Sequence, residues 1–398
     1  MNPQLQLLHP YPFEKLKQLF QGITPPADKP AIALSLGEPK HPTPLFIQET
    51  LNNNQQGLGQ YPSTKGLLEL RQVVAEWLRQ RFKLSADSLD PETQVLPVNG
   101  TREALFAFAQ ILIDPAEKPV VIMPNPFYQI YEGAAILAGA EPYYLNTVAE
   151  TDYLPDFDTI PEAILRRCQL FYICSPGNPT GTIIDLKQHQ QLLALAERYD
   201  FVIASDECYS EIYADEQNPP QGLLQSAFAL GNKTFKRCVV FHSLSKRSNA
   251  PGLRSGFVAG DAELLGQFLR YRTYHGSAMP LPTQYASIAA WKDEQHVLQN
   301  REFYRQKYAA VIDILKDSCT ISQPPASFYI WLNTPIDDTE FARKLYQQEH
   351  VTVLPGSFLS RQADGINPGQ NHVRMALVAP VPNCIEAAQR IKRFLLTL

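Results

Sequence analysis

Short apolar stretches at residues 95–98, 120–123, 143–145, 170–174, 201–205, 238–242 and 256–258 alternate with segments whose apolar positions recur at helical spacing. Such alternation predicts an α/β domain built on a mainly parallel sheet. The segments 103–113, 130–138 and 186–199 have the length and apolar repeat of helices that cover a sheet, so both of its faces are expected to be coated. In open sheets of this kind the ligand sits beyond the carboxyl ends of the strands. The residues that follow each run, 99–102, 124–128, 175–181, 206–209 and 243–246, should therefore face one site.

The texture changes after about residue 280, where Val297, Tyr304, Tyr308, Val311 and Leu315 recur at helical spacing. Ile385, Ala388, Ile391, Leu395 and Leu398 predict a closing helix. The first 45 residues, with Pro-rich stretches around Pro10, Pro25 and Pro42, carry no core pattern of their own. The expected organisation is an N-terminal arm with part of a small domain (1–45), a large domain (46–280) and a small C-terminal domain (281–398).

Composition narrows the partners. The 35 Lys and Arg against 40 Asp and Glu leave a net charge of −5 with no charge runs, which disfavours nucleic acid and anionic lipid. No apolar run approaches the ~18 residues of a membrane span, and residues 1–20 are interrupted by charges and prolines. A cytoplasmic protein acting on a small molecule is expected. Six cysteines stand singly, as reduced thiols would, and the eight histidines lack paired metal-ligand spacing. The phosphate motifs G-x-G-x-x-G and G-x-x-x-x-G-K-[ST] are absent.

Chemistry concentrates where the strands end. In Ser243-Leu-Ser-Lys-Arg-Ser-Asn-Ala-Pro-Gly-Leu-Arg254, a lysine follows an apolar run, with Ser243, Ser245 and Arg254 around it. A lone lysine is ordinarily solvated. In this setting Lys246 suits a Schiff-base amine beside an anionic group bound by hydroxyls and a guanidinium. Asp206 and Tyr209 leave another apolar strand together. Asp206 alone would be read as a helix cap; beside Lys246 it suits the carboxylate that keeps a heteroaromatic ring nitrogen protonated.

With Asn99-Gly-Thr-Arg-Glu103, Pro124-Asn-Pro-Phe-Tyr128 and Ser175-Pro-Gly-Asn-Pro-Thr-Gly181 added in the same order, the chain resembles the class I/II aminotransferases along essentially its whole length. These are fold type I enzymes that use pyridoxal 5'-phosphate. The resemblance implies a large α/β domain, with a mainly parallel seven-stranded sheet sandwiched by helices, and a smaller α+β domain. It implies that Lys246 carries the cofactor imine and then serves as the base, while Asp206 holds the ring nitrogen protonated. Tyr209 and Asn178 would reach the ring oxygen, and Tyr128, rather than Phe127, would stack on the ring. The turn Gly100-Thr101-Arg102, together with Ser243, Ser245 and Arg254, would receive the phosphate. Tyr61, in Tyr61-Pro-Ser-Thr-Lys-Gly66, would reach the neighbouring subunit's phosphate, which implies a homodimer with shared sites. Gly37, Asn178 and Arg374 would bind the substrate, Gly37 and Arg374 at its carboxylate, where a planar guanidinium fork suits the task. The implied reaction moves an amino group from an amino acid to 2-oxoglutarate, giving glutamate. Another amino acid aminotransferase or a β-lyase on the same scaffold is the alternative. Two positions depart from the family pattern: Ser255 after Arg254, and Ala326-Ser327 where glycines are common.

The opening His9-Pro-Tyr-Pro-Phe-Glu-Lys15, with Gly37-Glu-Pro-Lys-His41, resembles more narrowly the bacterial succinyldiaminopimelate aminotransferases of lysine synthesis. A donor of that kind ends in a second carboxylate that needs a cation at the pocket mouth. Lys40, Arg270 and Arg272 are the candidates.

Overall fold

The computed structural model describes residues 1–276 and 278–398. Its strands in chain order are β1 (Ile32–Ala33), β2 (Val95–Val98), β3 (Val120–Asn125), β4 (Glu141–Asn146), β5 (Cys168–Cys174), β6 (Val202–Asp206), β7 (Cys238–Ser243), β8 (Gly256–Gly260), β9 (Tyr329–Asn333), β10 (Val351–Thr352), β11 (Leu354–Pro355) and β12 (His372–Ala376). The seven apolar runs form one sheet in the order β2-β8-β7-β6-β5-β3-β4. Neighbours from β7 to β4 run parallel, while β8 is antiparallel to both β7 and β2.

Burial on both faces explains why these strands read as continuous apolar runs rather than as alternation. Val120, Ile122, Phe171, Ile173, Ile203 and Val240 point to one layer with Trp77 and Trp291. Their neighbours Val121, Met123, Leu170, Tyr172, Ala204 and Phe241 point to the other, with Phe108 and Tyr131. The covering helices are Thr101–Leu112, Gln129–Ala138 and Leu186–Tyr199. The last begins in a reciprocal cap, Asp185 accepting from the Gln188 amide while Gln188 accepts from that of Asp185.

A second core joins the antiparallel sheet β11-β12-β9 to helices Asp338–Glu349 and Val381–Leu395. The packing bears on the expected organisation at two places. Helix Leu281–Lys292, beyond the boundary expected at residue 280, packs Ala286, Ile288 and Trp291 into the core of the large sheet. The changeover lies in helix Gln295–Leu315, whose Tyr308, Val311 and Leu315 join the small core. The N-terminal region also contributes structure: β1 pairs parallel to β10 with Ile32 opposite Val351, and helix Pro12–Leu19 sets Leu16 on Leu354 and Leu359. Among the described residues no helix is long and apolar enough to cross a membrane.

Candidate functional site

A cavity of about 460 Å³ opens at the carboxyl ends of the large sheet, between that sheet, the small domain and the N-terminal segment. Its lining includes Gly37, Thr101, Arg102, Tyr128, Asn178, Asp206, Tyr209, Ser243, Ser245, Lys246, Arg254 and Arg374, all of them singled out in the sequence. Gly100 adjoins this wall. Its φ of +84° favours glycine, and a Cβ there would stand 2.3 Å from an Arg254 Nη atom. Tyr61 is fully exposed and outside the cavity of its own chain.

Asp206 ends β6 and is only 5% exposed. Tyr131 Oη donates to its Oδ2 at 2.8 Å, and the Cys208 amide to its Oδ1 at 3.2 Å. Among the described residues neither lysine nor arginine forms an ion pair with it. Burial therefore raises its pKa, against the hydrogen bonds that lower it. A protonated ring nitrogen would supply the cationic partner that no described lysine or arginine provides.

Lys246 lies one short helical turn after β7, where Ser243 caps the turn by accepting from the Ser245 amide at 3.1 Å. Its Nζ donates to the Gly37 carbonyl. Burial, reinforced by the charges of Arg374 and Arg102, lowers its pKa to about 8, so the neutral, nucleophilic amine is accessible near physiological pH. Gly37 leaves room for Tyr329 at the same wall: a Cβ there would lie 2.0 Å from the Tyr329 hydroxyl.

Arg374, on β12, is 4% exposed. Its Nη1 donates to Asn178 Oδ1 and its Nη2 to the Ser35 carbonyl, each at 2.9 Å, while the ring of Tyr329 lies 4.3 Å from its guanidinium carbon. Its buried Nε has no hydrogen-bond partner among the described residues. Tyr209 and Tyr329 share a hydroxyl hydrogen bond of 2.9 Å.

At the other end, helix Thr101–Leu112 begins at Gly100 with no side-chain cap, leaving first-turn amides at the cavity wall. The Ser243 and Ser245 hydroxyls, 2.9 Å apart, and Arg254 adjoin them. This donor set fits a phosphate, and the whole lining fits pyridoxal phosphate: a buried amine, an unpaired buried carboxylate and a phosphate cradle in one cavity.

Arg272 is corrected by the structure. Its guanidinium is fully buried and grips both Glu103 oxygens, at 2.7 and 2.8 Å, while Glu103 accepts from the Asn99 amide at 3.0 Å. It braces the turn from behind and does not reach the mouth. Arg270 is exposed and outside the lining, and Lys40 pairs with Glu38, which does line it. Two of the lining cations, Arg102 and Arg254, are exposed, and the Arg102 guanidinium donates to Tyr128 Oη at 2.7 Å and to Tyr11 Oη at 3.4 Å. Tyr11, Phe13, Glu38, Tyr131 and Tyr329 were not identified as site residues in the sequence. Only Tyr131, three residues after Tyr128 and on the same helical face, carried a readable signal.

The sequence profile of the family "Aminotransferase class I and II" matches residues 29–391. The chain is similar to the solved structure of an aminotransferase from Neisseria meningitidis Z2491, at 50% identity and a TM-score of 0.95, covering 99% of this chain and 100% of that one. It is similar to the aminotransferase AspB of Helicobacter pylori 26695 at 37% identity and a TM-score of 0.90, covering 98% and 100%. An LL-diaminopimelate aminotransferase of Desulforudis audaxviator is 32% identical over 401 residues, 98% of this chain and 96% of the relative.

Proposed function

The chain belongs to the class I and II aminotransferases, which depend on pyridoxal phosphate, and from that premise we propose that it transfers the amino group of N-succinyl-L,L-2,6-diaminopimelate to 2-oxoglutarate. The observation that carries the amino-transfer reading is the meeting of Lys246, Asp206 and Arg374 in one cavity, each with the protonation or pairing need that the reaction fills.

Bound here, pyridoxal phosphate supplies an electron sink for the charge that develops at the substrate's α-carbon. Lys246 would hold it, and the same Nζ is the group placed to take the substrate's α-proton; a pKa near 8 matches that task. Asp206 would keep the ring nitrogen protonated. Tyr209 and Asn178 would hold the ring oxygen, and Tyr128 would lie against the ring. Ser243, Ser245, Arg254 and the amides of the Gly100–Arg102 turn would anchor the phosphate. Arg374, whose planar guanidinium suits a carboxylate, would hold the α-carboxylate and so orient the bond to be broken. Tyr61, exposed on the single chain, completes the phosphate site of a second copy, so the working unit is a homodimer.

For the donor, Tyr11, Pro12 and Phe13 from the His9–Lys15 segment form part of the cavity wall. Arg102 stands where a distal carboxylate would arrive. A second reading, free LL-diaminopimelate, is favoured by Glu38 at the mouth, a partner for a distal ammonium, and by the name of the Desulforudis relative. Steady-state kinetics with 2-oxoglutarate decide between them. The proposal requires kcat/KM for the N-succinyl compound to exceed that for LL-diaminopimelate, aspartate, tyrosine and acetylornithine by about tenfold or more, or ~1.4 kcal/mol of transition-state binding. A preference of that size for another donor overturns it.

A further inference from the structure

We propose that Tyr131 is a positioning residue that sets, through Asp206, how strongly the cofactor ring withdraws electrons; this rests on the reading of Asp206 as the ring-nitrogen partner. Tyr131 is fully buried, and its Oη donates to Asp206 Oδ2 at 2.8 Å. The ring is locked, stacked on Tyr172 at 4.7 Å between centroids and 13° between planes, and met edge-on by Tyr128 at 5.8 Å and 87°. Tyr172 is itself pinned by donating to the Leu105 carbonyl at 2.6 Å. The phenol is thus held toward one carboxylate oxygen by two neighbouring aromatic rings.

Burial and the adjacent carboxylate keep that phenol protonated, its pKa raised well above the ordinary tyrosine value. It is a permanent donor. A fixed donor lowers the basicity of Asp206 and leaves more of the proton, and of the positive charge, on the ring nitrogen. Packing alone does not explain the hydroxyl, because phenylalanine would fill the same slot among Tyr172, Ala134 and Ala135 without burying a polar group.

The test is the pH titration of the absorbance of the pyridoxal phosphate-loaded enzyme, which requires no donor substrate. In Tyr131→Phe, which retains the ring packing, Asp206 becomes more basic. The titration midpoint should rise by about half a pH unit or more, and kcat should fall about tenfold with the donor KM within about twofold. A fluorinated tyrosine at position 131, near-isosteric and a stronger donor, should move the midpoint the other way. That arm also answers the question if Tyr131→Phe folds poorly. Unmoved midpoints in the variants that fold overturn the proposal. Asp206→Ala separates the two levels: a shifted midpoint there with none at Tyr131 removes Tyr131 alone, whereas no shift at Asp206 removes the ring-nitrogen reading and this proposal with it.

Discussion

The two ends of the cleft are built by different means. At the sheet end, Asp206 and Ser243 terminate strands, Lys246 lies one turn beyond, and Arg374 projects from β12; Asp206, Ser243 and Arg374 are each at most 5% exposed. At the mouth, Arg102 is exposed, Glu38 and Tyr11 are half-buried, and the wall is contributed by residues 11–13 and 36–38, which belong to no strand. Strand ends fix direction to within the tolerance that proton transfer needs, whereas a mouth made of the 36–38 segment, the start of helix Pro12–Leu19 and long side chains lies off the sheet and can be altered without disturbing it. On the proposed function, reaction type is set at one end and donor choice at the other, so substitutions at the two ends should fail differently.

The largest effect is expected at Asp206. Asp206→Ala should lower kcat by several powers of ten, each factor of ten corresponding to ~1.4 kcal/mol, for every donor alike. If Asp206 were only a cap, ~1 kcal/mol of stability would be lost with turnover retained. Arg374→Ala comes next. It should cost about 100-fold or more in kcat/KM, since the partner left behind is a buried carboxylate; this too should be independent of the donor's distal group, as steady-state assays on two donors would show.

The pH dependence tests the same end. With Lys246 near pKa 8 rather than its ordinary value of 10.5, the rate at which apoenzyme captures pyridoxal phosphate should climb about tenfold per unit below pH 8 and level off above it. A rise continuing towards pH 10 would mean an unshifted lysine. The sign for stability follows. The folded apoenzyme holds fewer protons than the unfolded chain between pH 8 and 10.5, so this residue's destabilisation is full below 8 and is relieved as pH rises through that window.

The smallest effect belongs to the mouth. Arg102→Met should reduce kcat/KM for the N-succinyl donor about tenfold while changing that for alanine, which has no distal carboxylate, by about twofold or less. Equal losses on both donors would assign Arg102 to the phosphate end and erase the contrast.

The same contrast governs what the sequence made legible. Residues 95–98 and 238–242 announce themselves because a strand covered on both faces must be apolar throughout, and the site residues follow directly from the strand ends. Strand β1 has two residues and acquires its identity only by pairing with Val351 and Thr352, over 300 residues away, so no periodicity could mark it. Arg272 illustrates the opposite failure. Arginine is rarely buried unless paired, so a sequence reading sends it to solvent. The Glu103 that buries it lies 169 residues away. Tyr329 is missed for a similar reason: it is an apolar residue of β9 until the small domain sets its hydroxyl against Tyr209 and its ring against Arg374.

The whole site is built around one amine. Borohydride reduction of the pyridoxal phosphate-loaded protein, followed by proteolysis and mass mapping, should place a single pyridoxyl group on Lys246, in the peptide that follows Ser243-Leu-Ser. A pyridoxyl group on any other lysine would contradict the assignment of the site and of the reaction built upon it.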